Sequence, residues 1–388
     1  MLSHNINFKN FKLDNLNNKK IIKIFKSIIK SPNQVLCSLS SNYKDSYSKK
    51  FVSKMKRFNN FRLIGIGGSI LGAQAIYNFL SPLGKKFQFI DSLSYVLNKK
   101  NKKNKKKQIT LIVSKSGNTL ETISNTNIFV KKNEQNIFIT EKKKNYLRDL
   151  AIKLKAKIID HNNYIGGRYS VLSEVGMLPA SLMGFKPEKF RRLNHLIEDK
   201  TFVNKLISSV SSILHLSRSK NMNNSIIINY DQDSNEFFKW YQQLVAESLG
   251  KKSKGILPVI STMPQDNHSL MQHYLDGAKN NFYTLHFFKE KKSIRLNNNT
   301  ILKSHNYLKD KNLNDILFSQ FSATEKVFKK KKIPFRSFII YKKNEETLGE
   351  LFTFFILETI LLGMAMEINP FDQPAVEIIK KETKKILI

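Results

Sequence analysis

The sequence predicts an α/β protein with two consecutive units, each a parallel sheet flanked by helices in a three-layer arrangement. Between residues 62 and 160, short apolar runs typical of buried parallel strands alternate with stretches of helical periodicity. The same alternation returns between residues 225 and 341. Such alternation favours a parallel sheet with helices on both faces. A chain of 388 residues is long enough for two such domains.

The first unit follows about 50 polar residues that we expect to be helical, including an amphipathic helix at 19–32. Its strands are predicted at 62–66, 87–91, 108–114, 136–140 and 157–160. Its helices are predicted at 70–80 and 119–131, with one more before the last strand. We therefore place an N-terminal helical segment at 1–50 and the first sheet domain at 51–186.

The second unit follows a polar helical connector at 186–220. Its strands are predicted at 225–230, 255–260, 282–288 and 335–341. Helices are predicted at 236–249, 268–277, 346–366 and 376–387. We place the second sheet domain at 187–345 and a C-terminal helical segment at 346–388. No internal repeat between the two units is strong enough to indicate a duplication.

The chain is strongly basic, with 66 Lys and Arg residues against 30 Asp and Glu residues and a formal net charge of +36. A charge of this size could attract nucleic acid or an anionic membrane surface. Lys, Asn, Ile and Phe are abundant throughout, which favours a compositional origin, and no basic run is interleaved with aromatic residues for base stacking. We expect no specific nucleic-acid partner, but a general attraction for anionic substrates.

Three features bear on the compartment. The single cysteine, Cys37, excludes an intramolecular disulfide and fits a reducing environment. The first 15 residues contain no apolar segment of the kind that a secretory signal needs. The most apolar stretch, at 348–366, is interrupted by Glu350 and Glu358, which favours a buried helix over a membrane span. We therefore expect a cytoplasmic protein with no membrane partner.

A glycine-rich turn follows the first strand, within LIGIGGSILGAQAIYNFL at 63–80. It matches a dinucleotide site poorly, because Ile70 stands where the third glycine is needed, although Asp91 could imitate the ribose-binding acid. It also matches a P-loop poorly. Gly67 and Gly72 have that spacing, but the lysine and hydroxyl that contact phosphate and magnesium do not follow.

The same turn fits a sugar or sugar-phosphate site better. Adjacent glycines let the backbone approach a ligand closely, and Gly68 and Ser69 lie at the start of the predicted helix, where backbone N–H groups are unpaired. A tight turn without any ligand explains the residues equally well.

A second turn, in VSKSGNTLETI at 113–123, has the same strand-to-helix placement. It offers the hydroxyls of Ser114, Ser116 and Thr119, the amine of Lys115 and backbone amides at a helix start. An ordinary N-cap at Thr119 does not need four such donors in six residues. The clustering around one point fits a monophosphate better than a pyrophosphate.

With these turns, four further motifs make the chain resemble the glucose-6-phosphate isomerase family over roughly residues 61–381. In order, the six motifs are GIGGSILG, SKSGNTLET, GGRYSVLSEVGMLPASL, ESLGK, QDNHS and PFDQPAVEIIK. The resemblance implies two tandem sugar-isomerase (SIS) domains, each a parallel sheet between helices. It also implies reversible isomerisation of glucose 6-phosphate and fructose 6-phosphate through a cis-enediolate, in glycolysis and gluconeogenesis.

The resemblance assigns the groups that bind substrate and move the proton between C1 and C2. The phosphate is expected at Ser114, Lys115, Ser116 and Thr119, with Gly68 and Ser69 as the other substrate-binding turn. Glu247 matches the catalytic base, and a partly desolvated carboxylate suits that task. Gln243, one helical turn earlier, matches a substrate-binding glutamine. Arg168 matches a fixed positive charge that stabilises the enediolate.

For ring opening, the resemblance points to His268 and Lys380, one to protonate the ring oxygen and one to take the anomeric proton. Gln373 is carried over as substrate-binding, and Lys380 is found seven residues after it. The neighbouring Lys381 remains an alternative, because Ala375 replaces the family's usual glycine nearby. The stretch before His268 also lacks a glycine that the family often shows. The C-terminal segment is thus expected to complete the active site.

We expect no metal and no cofactor, since the spacing of His268 and His273 does not fit a zinc helix. The family supplies its histidine across a dimer interface, which implies a homodimer with a shared active site. An enzyme that also acts on mannose 6-phosphate and a phosphosugar-sensing regulator remain alternatives. A regulator would need the two substrate-binding turns but not Glu247, His268 and Lys380, and all three of these residues are present.

Overall fold

The computed structural model describes residues 2–13, 16–94, 108–290 and 292–388, which form two five-stranded sheets surrounded by helices. The N-terminal segment begins with a strand, β1 (Ile6–Lys9), and continues with α1 (Lys19–Lys30), α2 (Gln34–Ser38) and α3 (Lys49–Met55). The prediction of an entirely helical segment is therefore wrong at β1. Four residues are too few to establish a periodicity, although Ile6 and Phe8 are buried and alternate with more exposed neighbours.

The first sheet confirms the predicted parallel arrangement. Its strands are β2 (Asn60–Ile64), β3 (Lys86–Ile90), β4 (Gln108–Val113), β5 (Gln135–Glu141) and β6 (Lys157–His161). The helices of this unit are α4 (Leu71–Leu80), α5 (Leu120–Phe129), α6 (Tyr146–Lys153) and α7 (Glu174–Met183). The spatial order is β3-β2-β4-β5-β6, so the direction of the connections reverses between β2 and β4.

The helical connector predicted between the sheets consists of three helices: α8 (Pro187–Phe190), α9 (Leu193–Glu198) and α10 (Lys200–Lys220). The second sheet then adds β7 (Asn224–Asn229), β8 (Leu257–Thr262), β9 (Asn281–Phe288) and β10 (Phe335–Ile340). Its helices are α11 (Asn235–Leu249), α12 (Met271–Asp276), α13 (Leu313–Lys330) and α14 (Glu345–Ala365), followed by the terminal α15 (Val376–Leu387).

The spatial order of the second sheet is β1-β10-β9-β7-β8. Four strands are parallel and β1 pairs antiparallel with β10, so the predicted parallel sheet gains an antiparallel edge from the N-terminal segment. The parallel strands repeat the order of the first sheet, with a reversal between β7 and β9. The two units are thus alike in topology, although the sequence shows no repeat.

Helix α13 was not predicted. Its sequence mixes Asn, Asp, Ser and Lys with scattered apolar residues, and only Phe321 and Phe328 are buried among its 18 residues. Its start carries a local signal, because the side chains of Asn312 and Asp315 each accept a hydrogen bond from the other residue's backbone N–H.

Helix α14 is the long apolar stretch and is enclosed by the protein, with 94% of its most apolar 18-residue window buried. By length and composition it could cross a membrane, but its two buried glutamates, Glu350 and Glu358, each lie beside an arginine of the protein. Glu358 accepts from Nη2 of the buried Arg336 at 3.1 Å, and Glu350 lies 3.8 Å from Nε of Arg192. The prediction of a buried helix is confirmed.

The carboxyl ends of β2 and β4 are where the two glycine-containing turns lie. The connections diverge at this point of the sheet, which is where open α/β sheets commonly bind ligands. Helix α4 packs against α11 of the second unit, which brings residues of that unit to the same edge of the sheet.

Candidate active site

The turn after β4 gathers three hydroxyl groups around the start of α5. Oγ of Ser114 lies 2.9 Å from Oγ1 of Thr119, and Oγ of Ser116 lies 3.5 Å from the same atom. Thr119 is the N-cap residue of α5, yet its side chain makes no capping hydrogen bond. The ordinary N-cap explanation therefore does not account for this hydroxyl, which points toward the other two. We call these three residues with Lys115 the hydroxyl cradle.

The backbone of the cradle is held by neighbouring strands and loops. Gly117 has a φ of +64°, and a Cβ atom there would lie 1.8 Å from Oδ1 of Asn145. The carbonyl of Lys115 accepts from the backbone N–H of Glu141, at the end of β5. Burial lowers the pKa of Lys115. The carboxylate of Glu141 opposes this, and the positive charges of Lys143 and Arg168 add to it.

The first glycine turn packs directly on the loop that carries Arg168. A Cβ atom on Gly68 would lie 2.1 Å from the carbonyl carbon of Gly167, so no side chain fits there. Gly67 has a φ of +54°, and a Cβ atom on it would approach Nε2 of Gln243 to 2.9 Å. The close approach predicted for a ligand at Gly68 is thus made by the protein's own backbone. Ser69 follows on the partly exposed side of the turn.

Arg168 is buried at the centre of the site, with 2% of its surface exposed. It lies in a 3-10 turn, Gly167–Leu172, between β6 and α7. The indole Nε1 of Trp240 donates to its carbonyl at 3.2 Å, and Oγ of Ser170 donates to the carbonyl of Gly167 at 2.7 Å. These contacts fix the backbone on both sides of the guanidinium.

Glu247 and Gln243 lie one turn apart on α11 and face this guanidinium. Oε1 of Glu247 is 3.3 Å from Nη1 of Arg168, and Oε2 accepts from Nε2 of Gln243 at 3.0 Å. The Glu247 side chain is 22% exposed, so it meets both protein charge and solvent. Oε1 of Gln243 is buried and has no hydrogen-bond partner. The predicted base, the predicted cation and one predicted substrate-binding residue therefore form one cluster.

The remaining donors of Arg168 reach the C-terminal segment. Nε donates to Oγ of Ser248 at 2.7 Å, and Nη1 donates to Oε1 of Gln373 at 2.8 Å. Nη2 donates to the carbonyls of Pro370 and Asp372 at 2.7 and 3.1 Å. These four hydrogen bonds hold the guanidinium, and the Glu247 carboxylate forms an ion pair with its Nη1. Gln373 is thereby brought to the site, as predicted.

Sequence reasoning missed Ser248 and Tyr169. The hydroxyl of Tyr169 lies 2.9 Å from Oγ of Ser248 and donates to the carbonyl of Pro370 at 3.0 Å. Both residues stand beside predicted ones, inside GGRYS and ESLGK. Each residue places a hydroxyl in a stretch that is otherwise buried. A buried hydroxyl needs a hydrogen-bond partner, and this requirement was the signal that could have identified both residues.

His268 does not contact these residues within one chain. It is exposed and ends the 3-10 turn Gln265–Asn267, just after β8. The turn is ordered by Asp266, whose carboxylate accepts from Oγ of Ser261 at 3.1 Å, the N–H of Thr262 at 2.7 Å and Oγ of Ser269 at 2.8 Å. The structure therefore places His268 on the surface, on an ordered turn.

Lys380 is likewise outside the cluster. It lies on α15, none of whose residues is buried, and its Nζ is 2.6 Å from Oε1 of Glu377 on the same helix. The lysine is 62% exposed, and the neighbouring Lys381 is exposed as well. The hydrogen bond from Arg168 to Gln373 connects the segment before α15 to the site. Neither Lys380 nor Lys381 reaches Glu247 in this arrangement.

Across the four described ranges, no three His, Cys, Asp or Glu side chains lie together as they would to bind a metal ion. His273, the other histidine considered from the sequence, lies on α12, and its ring comes within 2.4 Å of the position that a Cβ atom on Gly277 would take.

Comparison with known proteins finds the same family over most of the chain. A family model described as phosphoglucose isomerase matches residues 11–323. The match begins earlier than the motifs do, and it ends before Gln373 and Lys380, which rest on the motif at 370–380.

Individual relatives are consistent with this match. The chain is 32% identical to the glucose-6-phosphate isomerase of Methanocaldococcus jannaschii, over 87% of this chain and 88% of that protein. It is 31% identical to the glucose-6-phosphate isomerase of Mycoplasmopsis synoviae, over 89% and 87% of the two chains.

Solved structures share the fold. A hypothetical protein from Thermus thermophilus superposes with a TM-score of 0.82 at 23% identity, covering 95% of this chain and 94% of that one. A glucose-6-phosphate isomerase from Chlamydia trachomatis superposes with a TM-score of 0.73 at 17% identity, covering 95% and 83%. The predicted two-sheet architecture is therefore one that these proteins also have.

Proposed function

The chain belongs to the phosphoglucose isomerase family, and from this premise we propose that it interconverts glucose 6-phosphate and fructose 6-phosphate through a cis-enediolate, in glycolysis and gluconeogenesis. The observation that carries the assignment of residues is the pair formed by Glu247 and Arg168, 3.3 Å apart beside the hydroxyl cradle. A base, a fixed cation and a phosphate site are the three groups that this isomerisation needs in one place.

The hydroxyl cradle holds the 6-phosphate. The hydroxyls of Ser114 and Ser116 lie 2.9 and 3.5 Å from that of Thr119 at the N-terminus of α5, where unpaired backbone N–H groups and the helix dipole favour an anion. Lys115 adds a positive charge, and the lowering of its pKa by the charge of Arg168 supports placing the two cations at one site. A phosphate bound here leaves the sugar carbons directed toward α11, with Gly68 and Ser69 beside them.

Glu247 moves the proton between C2 and C1. When its carboxylate takes the proton it becomes neutral, and the negative charge passes to the enediolate oxygen of the substrate. Arg168 therefore has a negative partner before and after the transfer, since its first partner is the Glu247 carboxylate and its next is the enediolate. The bonds from Arg168 to Ser248, Pro370 and Asp372 keep this cation in place, so its charge is positioned before the enediolate forms.

Two amides complete the binding of the sugar. The buried and unpartnered Oε1 of Gln243 is an acceptor suited to a substrate hydroxyl, which would satisfy it. Gln373, whose Oε1 now occupies Nη1 of Arg168, is exposed and can exchange that contact for one with the substrate. The exchange would free one guanidinium N–H for the enediolate oxygen.

His268 and Lys380 open the ring, and His268 comes from a second subunit. Its exposure on an ordered surface turn, away from Glu247 of the same chain, supports a homodimer in which each site takes its histidine from the partner. Lys380 reaches the site by movement of α15, a helix with no buried residue and with several exposed apolar side chains. We propose a cytoplasmic enzyme whose partners are its substrate and a second copy of itself, rather than nucleic acid or a membrane.

A coupled assay tests the function. The purified chain is given fructose 6-phosphate, and the glucose 6-phosphate formed is followed with a dehydrogenase specific for that sugar. Mannose 6-phosphate is supplied in a parallel reaction to test the broader isomerase. A Glu247→Gln preparation, purified identically, measures contaminating isomerase from the expression host. Turnover no higher than that of Glu247→Gln would overturn the proposal.

A further inference from the structure

The buried edge of the Arg168 guanidinium takes part in a closed ring of hydrogen bonds. Nε of Arg168 donates to Oγ of Ser248 at 2.7 Å, and this oxygen lies 2.9 Å from the hydroxyl oxygen of Tyr169. The Tyr169 hydroxyl is 3.0 Å from the carbonyl oxygen of Pro370, which also accepts from Nη2 of Arg168 at 2.7 Å. The ring therefore begins and ends on the same guanidinium.

The ring can carry its protons in only one direction. Arginine stays protonated and has no acceptor, so Nε donates and Oγ of Ser248 accepts. The Pro370 carbonyl can only accept, so Tyr169 gives its hydroxyl proton to this carbonyl. The Tyr169 oxygen must then accept the proton of Ser248. Both hydroxyl protons are thus committed to the ring.

The members of the ring depend on one another because they are enclosed in the protein. Arg168 is 2% exposed, and Ser248 and Tyr169 are 0% exposed, so a lost partner would leave a buried polar group unpaired. A hydroxyl that donates onward is also a stronger acceptor, so Tyr169 strengthens the bond from Arg168 to Ser248. The Tyr169 ring adds a direct contact, since Cζ of Arg168 lies 5.1 Å from its centroid.

The acceptor end of the ring is itself fixed to the protein. Pro370 is buried and packs on α14, where a Cβ atom on Gly363 would come within 2.9 Å of Cβ of Pro370. Nζ of Lys251 donates to the carbonyl of the preceding Asn369 and to Oδ1 of Asp372, which is 2.7 Å away. The Pro370 carbonyl is therefore a stationary point against which the ring can hold the guanidinium.

The ring uses the edge of the guanidinium formed by Nε and Nη2 and leaves Nη1 to the other side. Nη1 lies 3.3 Å from Oε1 of Glu247 and donates to Oε1 of Gln373 at 2.8 Å. A rotation of the guanidinium about the bond between Cδ and Nε would break both bonds of the ring at once. The ring thus decides which nitrogen of Arg168 faces the proposed base.

We propose that Ser248 and Tyr169 are positioning residues for the isomerisation, because their proton-ordered ring turns the Arg168 guanidinium so that Nη1 faces Glu247 and the enediolate. Neither hydroxyl exchanges a proton with the substrate, since both protons stay in the ring. This inference rests on the proposed function, because it concerns the cation that stabilises the enediolate.

Single replacements in the full-length protein test the two hydroxyls. Tyr169→Phe keeps the aromatic ring but leaves the Ser248 proton without its acceptor, and Ser248→Ala removes the acceptor of Nε. Each should lower kcat by roughly tenfold or more, since a displacement of about 1 Å near a catalytic group can cost about 100-fold. KM for fructose 6-phosphate should change less than about threefold, because the hydroxyl cradle is not part of the ring.

Combined variants distinguish positioning from a general loss of packing. If both hydroxyls act through one guanidinium, the double variant should lose about as much kcat as the more damaging single variant, whereas independent losses would multiply. The second combination uses Arg168→Lys, whose amine lacks the edge that the ring holds. On this background Tyr169→Phe should lower the residual kcat by less than about twofold.

Two buried hydroxyls outside the ring provide matched controls. Tyr283→Phe removes a hydroxyl that donates to the Tyr274 carbonyl at 3.3 Å, and Ser337→Ala removes one that donates to Glu325 at 2.6 Å. Tyr283 is 2% exposed and Ser337 is 0% exposed, and both lie in the second sheet. Each control should keep kcat and KM within about twofold of the wild type. All assays are run well below each variant's unfolding midpoint.

Three results would overturn the inference: a normal kcat in either single variant, multiplied losses in the double variant, or an undiminished effect of Tyr169→Phe on the Arg168→Lys background. Should the ring variants fail to fold, neutron diffraction from deuterium-exchanged wild-type crystals still decides, because a Ser248 deuteron directed away from Tyr169 would contradict the proposed proton order. Absence of wild-type isomerase activity is a different result and would overturn the proposed function instead.

Discussion

Nη1 of Arg168 lies 3.3 Å from Oε1 of Glu247, although one residue belongs to a loop of the first sheet and the other to a helix of the second. The contact is possible because Gly68 and Gly167 allow two loops to meet backbone to backbone, and because α4 packs on α11. The site is therefore a product of the interface between the two units. Its geometry should be sensitive to changes in either one.

Replacing Glu247 with Gln should reduce kcat by about 10³-fold while substrate binding is retained, since a positioned general base contributes about 10² to 10⁴. The amide keeps the hydrogen-bonding shape but cannot take the C2 proton. Steady-state kinetics and a binding isotherm with fructose 6-phosphate measure the two effects. Glu236→Gln, on the same helix with Lys239 as its partner, is the control and should be nearly neutral. Near-normal turnover of Glu247→Gln would exclude this residue as the base.

The double change Ser116→Ala and Thr119→Ala should mainly raise KM for phosphorylated substrates, by roughly 30-fold or more if each of the two lost hydrogen bonds is worth at least ~1 kcal/mol. In the proposed site these hydroxyls bind the phosphate and not the reacting carbons, so kcat should fall little. Ser124→Ala, farther along α5, removes a hydroxyl that donates to the Leu120 carbonyl and serves as the control. A fall in kcat at unchanged KM would contradict the cradle assignment.

Much of the fold could be predicted from periodicity, because buried parallel strands are continuous apolar runs. The strands of both sheets lie within a few residues of their predicted positions. Two elements were missed for physical reasons. β1 is four residues long, and its pairing partner, β10, is more than 300 residues away in the chain. α13 buries only two phenylalanines, so its apolar face is too narrow to stand out.

The site was predictable only in part, for a physical reason. The hydroxyl cradle is local, so a six-residue window displays all its donors. The Arg168 cluster is assembled from three distant segments, and only resemblance to a family placed Glu247 and Gln373 beside it. The buried contact between His161 and Glu174, 2.6 Å apart at the base of the Arg168 loop, was missed because its two members are 13 residues apart in the chain.

The two C-terminal lysines can be distinguished by replacement. Lys380→Ala should lower kcat by about 10²-fold if this amine takes part in ring opening, whereas Lys381→Ala should change it less than twofold. A substrate supplied largely as the open-chain sugar should restore most of the activity of Lys380→Ala, because ring opening is then bypassed. The reverse pattern between the two variants would assign the role to Lys381.

His286 should make stability fall in mild acid. Burial lowers the pKa of His286 to about 4, with Lys343 adding to the effect and Asp231 opposing it. In the unfolded chain His286 binds a proton below its ordinary pKa of about 6.5, whereas in the folded chain it does so only below about pH 4. Between these two values the unfolded state binds more protons, so the free energy of unfolding decreases as the pH falls. The full shift corresponds to about 3 kcal/mol. Urea midpoints at pH 7 and 4.5 should differ less in His286→Gln than in the wild type. An equal acid loss in both would refute the assignment.

Mixing two inactive variants tests whether each site is shared between subunits. In a hybrid dimer of Glu247→Gln and His268→Ala, one site would contain both lesions. The other would combine the intact Glu247 of one chain with the intact His268 of its partner. Random reassembly of equal amounts makes about half of the dimers hybrid, and each hybrid has one intact site of two, so about a quarter of wild-type activity should return. The measurement is kcat before and after the variants are dissociated and reassociated together, with each variant treated alone as the control. If His268 serves the site of its own chain, every site keeps one lesion and no activity returns. That result would also leave the exposed position of His268, on a turn ordered by Asp266, without a functional explanation.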